Sequence, residues 1–231
     1  MTLPDLINHP HLMGRLDFVH RLPGKVPLPA GLNPLGLFET RDAALYVPHG
    51  IDPRSPTALV VLFHGGGGSA AKILPMLQQH AEARGFLLLV PQSVFPTWDI
   101  VIGGNGPDRE RLDRTLAEVA SRFRLDPARL VFAGHSDGGS YALSLGLTNG
   151  QFVTHVVASS AGFMSVHLQS GAPRIFISHG TRDEQIPIDR SGRFHSAKLK
   201  AAGYDVSYVE YDGPHAHQPA VVAQAVDFFL A

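Results

Sequence analysis

Cysteine is absent from the 231 residues. That one fact removes disulfides, thiol nucleophiles, thiolate-ligated zinc and iron–sulfur clusters. A basic excess is absent too: 19 Lys+Arg stand against 20 Asp+Glu, a formal net charge of -1. Nucleic-acid binders usually carry such an excess, so no nucleic-acid partner is expected. Long apolar runs are missing. The longest, at 58–63, 86–90 and 130–133, fall far short of the roughly 20 residues of a membrane span. The opening residues, MTLPDLINHP, hold neither a basic region nor a continuous apolar stretch. They give no secretory signal, and a cytoplasmic protein is the expectation.

What is present describes a folded chain. Hydrophobic residues make up 44% and charged residues 17%, enough to bury a sizeable core. Glycine (24) and proline (18) are frequent, which implies many tight turns. The length suits one α/β domain. Prolines at 4, 10, 23, 27, 29 and 34 interrupt residues 1–39. This stretch reads as an irregular segment packed on the domain, with a first edge strand near 14–20. Residues 40–231 read as a single catalytic domain.

From residue 43 apolar runs of strand length alternate with helical spacing. Strands are predicted at 43–47, 58–63, 86–90, 130–133, 153–158, 174–178 and 206–211. Helices are predicted at 70–84, 108–123, 137–147, 190–202 and 219–230. Strands apolar on both faces, alternating with helices, point to a mostly parallel sheet covered on both sides. The longest connections, 92–107 and 161–173, are too short for a large lid domain and border a candidate pocket.

Four segments carry chemistry. Gly134-His135-Ser136-Asp137-Gly138 sits between a buried strand and a helix. Serine on such a turn exposes its hydroxyl, and the flanking glycines let strand and helix approach closely. Ser136 is the candidate nucleophile, and a base must take its proton. The strand at 174–178 runs into His179-Gly180-Thr181-Arg182-Asp183-Glu184. Asp183 then lies at the carboxyl end of a strand, where α/β sites assemble. Glu184, Asp189 and Asp205 are weaker candidates: a loop neighbour, a helix-start residue and a residue at the wrong strand end. The strand at 206–211 leads into Asp212-Gly213-Pro214-His215-Ala216-His217, which offers two histidines as base. A metal held by His215 and His217 lacks a third ligand at a telling spacing. Finally, His64-Gly65-Gly66-Gly67-Gly68-Ser69 follows the strand at 58–63. Without side chains in the way, backbone N–H groups converge there on a developing oxyanion. Gly66 N–H and Asp137 N–H are the candidate donors, and His64 reads as a hydrogen-bonder that holds the loop. The run lacks the Gly-Lys-Ser/Thr ending of a phosphate loop, which argues against nucleotide binding.

Together LFHGGGGS, PQS with the following Trp-Asp, GHSDGGSYALSLG, ISHGTRDEQIPID and YDGPHAHQP resemble the α/β-hydrolase serine esterases. The likeness is to the phospholipase/carboxylesterase and dienelactone-hydrolase-like group, with its polyhydroxybutyrate-depolymerase-like members, and covers about residues 57–231. It implies the α/β-hydrolase fold, with no large lid. It also implies Ser136 as nucleophile, Asp183 as acid and His215, rather than His217, as base. Carboxylesterase activity on short-chain or aromatic small esters follows, with no metal and no organic cofactor. Dienelactone hydrolases proper use cysteine, which this chain lacks. Thioesterase, peptidase and polyester depolymerase remain alternatives of the same fold, as does a non-catalytic binding protein. Phe95, Trp98, Ile100, Phe163 and Met164, on the two longest connections, are candidate pocket residues.

Overall fold

A computed structural model describes residues 9–231. The first eight residues of the predicted N-terminal segment, and most of the stretch read for a signal, lie outside the described residues.

Eight strands form one sheet: β1 (Gly31–Pro34), β2 (Ala44–Val47), β3 (Thr57–Phe63), β4 (Leu87–Val90), β5 (Leu125–His135), β6 (His155–Ser159), β7 (Arg174–Gly180) and β8 (Val206–Tyr211). Their order is β1-β2-β4-β3-β5-β6-β7-β8. β1 pairs β2 and β2 pairs β4 antiparallel, and every later pairing is parallel. The helices are α1 (Ala70–Ile73), α2 (Pro75–Arg84), α3 (Asp99–Ile102), α4 (Pro107–Arg122), α5 (Asp137–Thr148), α6 (Gly192–Ala201) and α7 (Pro219–Leu230).

The period of two in β3 builds two cores from one strand. Leu59, Val61 and Phe63 join the layer containing Leu112, Leu116 and Val119 of α4 and Tyr141 and Leu145 of α5. Val60 and Leu62 join the opposite layer, with Leu77 of α2 and Val222, Val226 and Phe229 of α7. Every residue of β3 is buried, as a central parallel strand requires.

The expected strand at 14–20 does not form, because its backbone is committed elsewhere. Leu16 N–H donates to Asn149 Oδ1 at 2.9 Å and Asp17 N–H to Asp113 Oδ1 at 2.7 Å. Those donors are lost to a strand ladder. The segment is instead anchored by Leu16 and Phe18 in the core, and the edge strand lies at Gly31–Pro34. The single helix expected at 70–84 divides at Pro75, which has no N–H to continue the first turn and starts α2 instead. The connection at 92–107 contains α3, which the sequence pattern did not show.

The loop at 161–173 is tied down by a row of hydroxyls on α5. Ser140 Oγ accepts from Gly162 N–H at 3.0 Å and Ser144 Oγ from Ser165 N–H at 2.9 Å. Among the described residues no helix is long and apolar enough to cross a membrane.

Candidate active site

β5 ends at His135, and Ser136 takes φ 58° and ψ -125° before α5 begins. A non-glycine residue with positive φ is strained, and that strain turns the serine out of the sheet. The turn is as tight as its glycines allow. A Cβ on Gly134 would stand 2.2 Å from Gly138 O, and one on Gly138 would stand 2.1 Å from Phe63 O. Neither position admits a side chain.

Asp183 is buried on the loop after β7. Its Oδ1 accepts from Gln185 N–H at 3.0 Å and Ile186 N–H at 2.8 Å. Its Oδ2 lies 2.7 Å from His215 Nδ1. Burial pushes this carboxyl's pKa up, but the Ile186 N–H and His215 outweigh it and hold the group below the usual carboxylate range. His215 follows β8 and lies over the serine turn, its ring centroid 4.8 Å from that of His135. No hydrogen bond joins Ser136 Oγ to His215, and such contacts commonly tighten only with substrate bound. The other acids point elsewhere. Asp189 pairs with Arg193 and Asp205 with Arg174, and Glu184 is exposed. His217 is exposed, with its ring centroid 5.8 Å from that of His135.

The glycine loop after β3 abuts the serine: a Cβ on Gly65 would stand 3.3 Å from Ser136 Cβ. A Cβ on Gly66 would stand 2.5 Å from Asp137 Oδ2. That carboxylate is fixed by Thr97 Oγ1–H at 2.6 Å. Asp137 N–H opens α5, where helical N–H groups have no partner in their own helix. His64 is buried and fastens the loop. Its Nδ1 donates to Gly65 O at 2.8 Å, while Nε2 accepts from the Gln92 amide at 2.8 Å. Trp98 Nε1–H donates to His64 O at 2.7 Å.

The five expected pocket residues divide. Trp98 is only 1% exposed and stacks on Tyr141 at 4.7 Å, so it supports the loop and lines no accessible pocket. Ile100 packs against the core. Met164 lines a separate cleft of about 210 Å³ with Leu147, Leu199 and Tyr204, at the far end of α5 from Ser136. Phe163 is half-buried and Phe95 exposed. A shallower depression of about 440 Å³, lined by Arg182, Glu184, Gln185 and Pro214, opens beside His215. Sequence reasoning missed Thr97, the supporting role of Trp98 and the buried His179 behind Asp183. For His179 the available signal was a histidine directly after the apolar run at 174–178, four residues before Asp183. Among the described residues, no group of three or more His, Asp or Glu is placed to hold a metal ion.

No family model matches the chain. A curated relative, feruloyl esterase C of Emericella nidulans, is 24% identical over 248 residues, spanning 90% of this chain and 91% of its own length. Among solved structures, esterase PE8 has a TM-score of 0.66 at 20% identity and covers 80% of this chain and 96% of its own. The apo form of Thermogutta terrifontis esterase 2 has a TM-score of 0.67 at 18% identity, covering 90% and 94%. By fold this chain is an α/β-hydrolase. The same esterase 2 is known phosphorylated by paraoxon. In the α/β-hydrolase fold of this chain, the Ser136 turn, the Asp183 loop and the His215 loop all stand at the carboxyl ends of parallel strands, β5, β7 and β8.

Proposed function

We propose that this protein is a serine carboxylesterase that works through an acyl-enzyme on Ser136. The observation that carries the reading is the 2.7 Å contact between His215 Nδ1 and Asp183 Oδ2, beside a strained serine turn. Ser136 Oγ attacks the ester carbonyl and His215 Nε2 takes its proton. Asp183, held ionised, keeps the proton on Nδ1 and stabilises the imidazolium that forms. Gly66 N–H and Asp137 N–H face the developing oxyanion. His215 then protonates the leaving alcohol, and water repeats the sequence on the acyl-enzyme. No metal or organic cofactor takes part in these steps.

Residues 40–231 form the catalytic domain in this reading, and of the segment 1–39 the described part, from residue 9, packs against it. The open site beside His215 suits small esters, short-chain or aromatic, and leaves the departing alcohol a polar exit past Arg182, Glu184 and Gln185. The esterase relatives support this class over thioesterase or peptidase chemistry. Treatment with a fluorophosphonate or with paraoxon, followed by peptide mass spectrometry, tests the mechanism. Modification of Ser136 together with loss of p-nitrophenyl acetate hydrolysis is expected. Hydrolysis that survives without Ser136 modification would overturn it.

A further inference from the structure

Asp183 touches a second imidazole. His179 is the next-to-last residue of β7, and its side chain is fully buried. Its Nε2 stands 2.9 Å from Ile186 O and 3.1 Å from Asp183 Oδ2. Both neighbours are acceptors, so Nε2 carries the proton; it donates it to Ile186 O, with Asp183 Oδ2 beside it at ion-pair distance. Its Nδ1 is buried without a partner. A bare lone pair there is cheaper than a bare N–H on a buried cation, which fixes the neutral Nε2–H tautomer. The ring cannot retreat. A Cβ on Gly192, where α6 begins, would stand 2.8 Å from His179 Cβ and 2.9 Å from Nδ1.

We propose that His179 is a positioning residue of this site, its Nε2–H donated to Ile186 O and held at 3.1 Å beside the same Asp183 oxygen that receives His215. The proposal rests on the reading of Asp183 and His215 as acid and base. A carboxylate offers about four acceptor sites. Here Gln185 N–H and Ile186 N–H fill two, on Oδ1, His215 fills one on Oδ2, and His179 Nε2 stands against the remaining side of Oδ2. Two consequences follow. The carboxylate has no freedom to swing away from His215. The nearby Nε2–H dipole also draws charge from Oδ2, so the imidazolium of His215 is stabilised less than it would be by a carboxylate of its own. His179 therefore trades some basicity of the base for its aim.

The other groups in electrostatic reach of His179 are His135 at the end of β5, His195 on α6 and Glu210 on β8. Glu210 is held by Arg193 at 2.7 Å. On the side of His215 lie His135 and His217. All of these stand unchanged in both the Leu and the Gln variants below, so a difference in pH profile between the two variants reports the lost N–H.

The test compares His179→Leu with His179→Gln in the full chain, using p-nitrophenyl acetate. The Leu variant removes the donor at similar volume. Its kcat should fall about tenfold, and the acid limb of kcat/KM should move up by about 0.5 pH unit. The Gln variant returns an N–H near the Nε2 position and should bring the limb back. A purely packing role would lower stability and leave the limb in place in both variants; that result overturns the proposal. If the Leu variant does not fold, ¹⁵N-histidine NMR of the native protein decides. A protonated Nε2 and bare Nδ1 on His179 are expected, and the opposite tautomer overturns the assignment. That readout needs no activity. A native protein without esterase activity would count against the proposed function alone.

Discussion

Asp183 Oδ2 and His215 Nδ1 meet at 2.7 Å although 32 residues separate them in the chain. Two backbone bonds stitch their loops together: Thr181 N–H to Tyr211 O at 2.9 Å and Arg182 N–H to Gly213 O at 3.0 Å. A Cβ on Gly180 would stand 2.4 Å from Gly213 O, so the approach needs glycine there. The acid's position is thus set by backbone and not by a flexible side chain. Asp183→Asn keeps the shape but can present an N–H to Nδ1, which favours the wrong tautomer. A fall in kcat of about 10⁴-fold is expected, with the circular dichroism spectrum unchanged. A loss under tenfold would show that the carboxylate does not set the tautomer.

The two histidines of the last loop separate next. His215 is mostly buried and bonded to the acid, whereas His217 is exposed and near only the His135 ring. His215→Ala should abolish measurable turnover, since the serine loses its proton acceptor. His217→Ala should keep at least about a tenth of it, a barrier change of no more than about 1.4 kcal/mol. The reverse ranking in two folded variants would move the base to His217.

Much of this was legible in the sequence because it is local. The strands at 58–63 and 206–211 and the helix at 219–230 follow from unbroken apolar runs and helical spacing, and structural bounds lie within a residue of the pattern. The serine turn follows from glycines whose absent side chains the packing demands. What was not legible depends on partners distant in sequence. Nothing in residues 14–20 shows that Asn149 will take the Leu16 N–H. Nothing around Trp98 shows that its indole will reach back to His64 O instead of lining a pocket. His179 lay in plain view beside the acid, but its role depends on Ile186 O and Gly192 closing round the ring.

The glycine loop offers a third measurement. Gly66→Ala places a Cβ 2.5 Å from Asp137 Oδ2, which Thr97 already holds at 2.6 Å. Either the carboxylate swings away or the loop carrying the Gly66 N–H moves. Removing one oxyanion donor commonly lowers kcat by about 10²–10³-fold, and a displaced donor should lose about 10-fold or more. KM should change little, because ground-state binding does not use the donor. An unchanged kcat would remove Gly66 from the oxyanion site.

His135 supplies the clearest pH dependence. Its pKa is pushed down to about 4, first by burial and then by the neighbouring His215 and His217. Its ordinary value in the unfolded chain is 6.5. Between those values the unfolded state binds the extra proton and the folded state does not. Stability from this residue is therefore complete above about 6.5 and falls as the pH drops toward about 4. His135→Gln removes the titrating group while keeping a polar side chain near Ser159 Oγ, which His135 Nδ1 meets at 3.2 Å. Urea unfolding at pH 7.5, above the transition, and at pH 4.5, near its lower end, measures the effect. The native protein should lose more stability than the variant on acidification, so the gap between them narrows or reverses at the lower pH. Both retain Asp183 and their other carboxylates, whose protonation contributes equally and cancels in the difference. An identical acid loss in the two proteins would mean that His135 is already charged in the folded state, and the ring beside the serine would then face His215 as a cation.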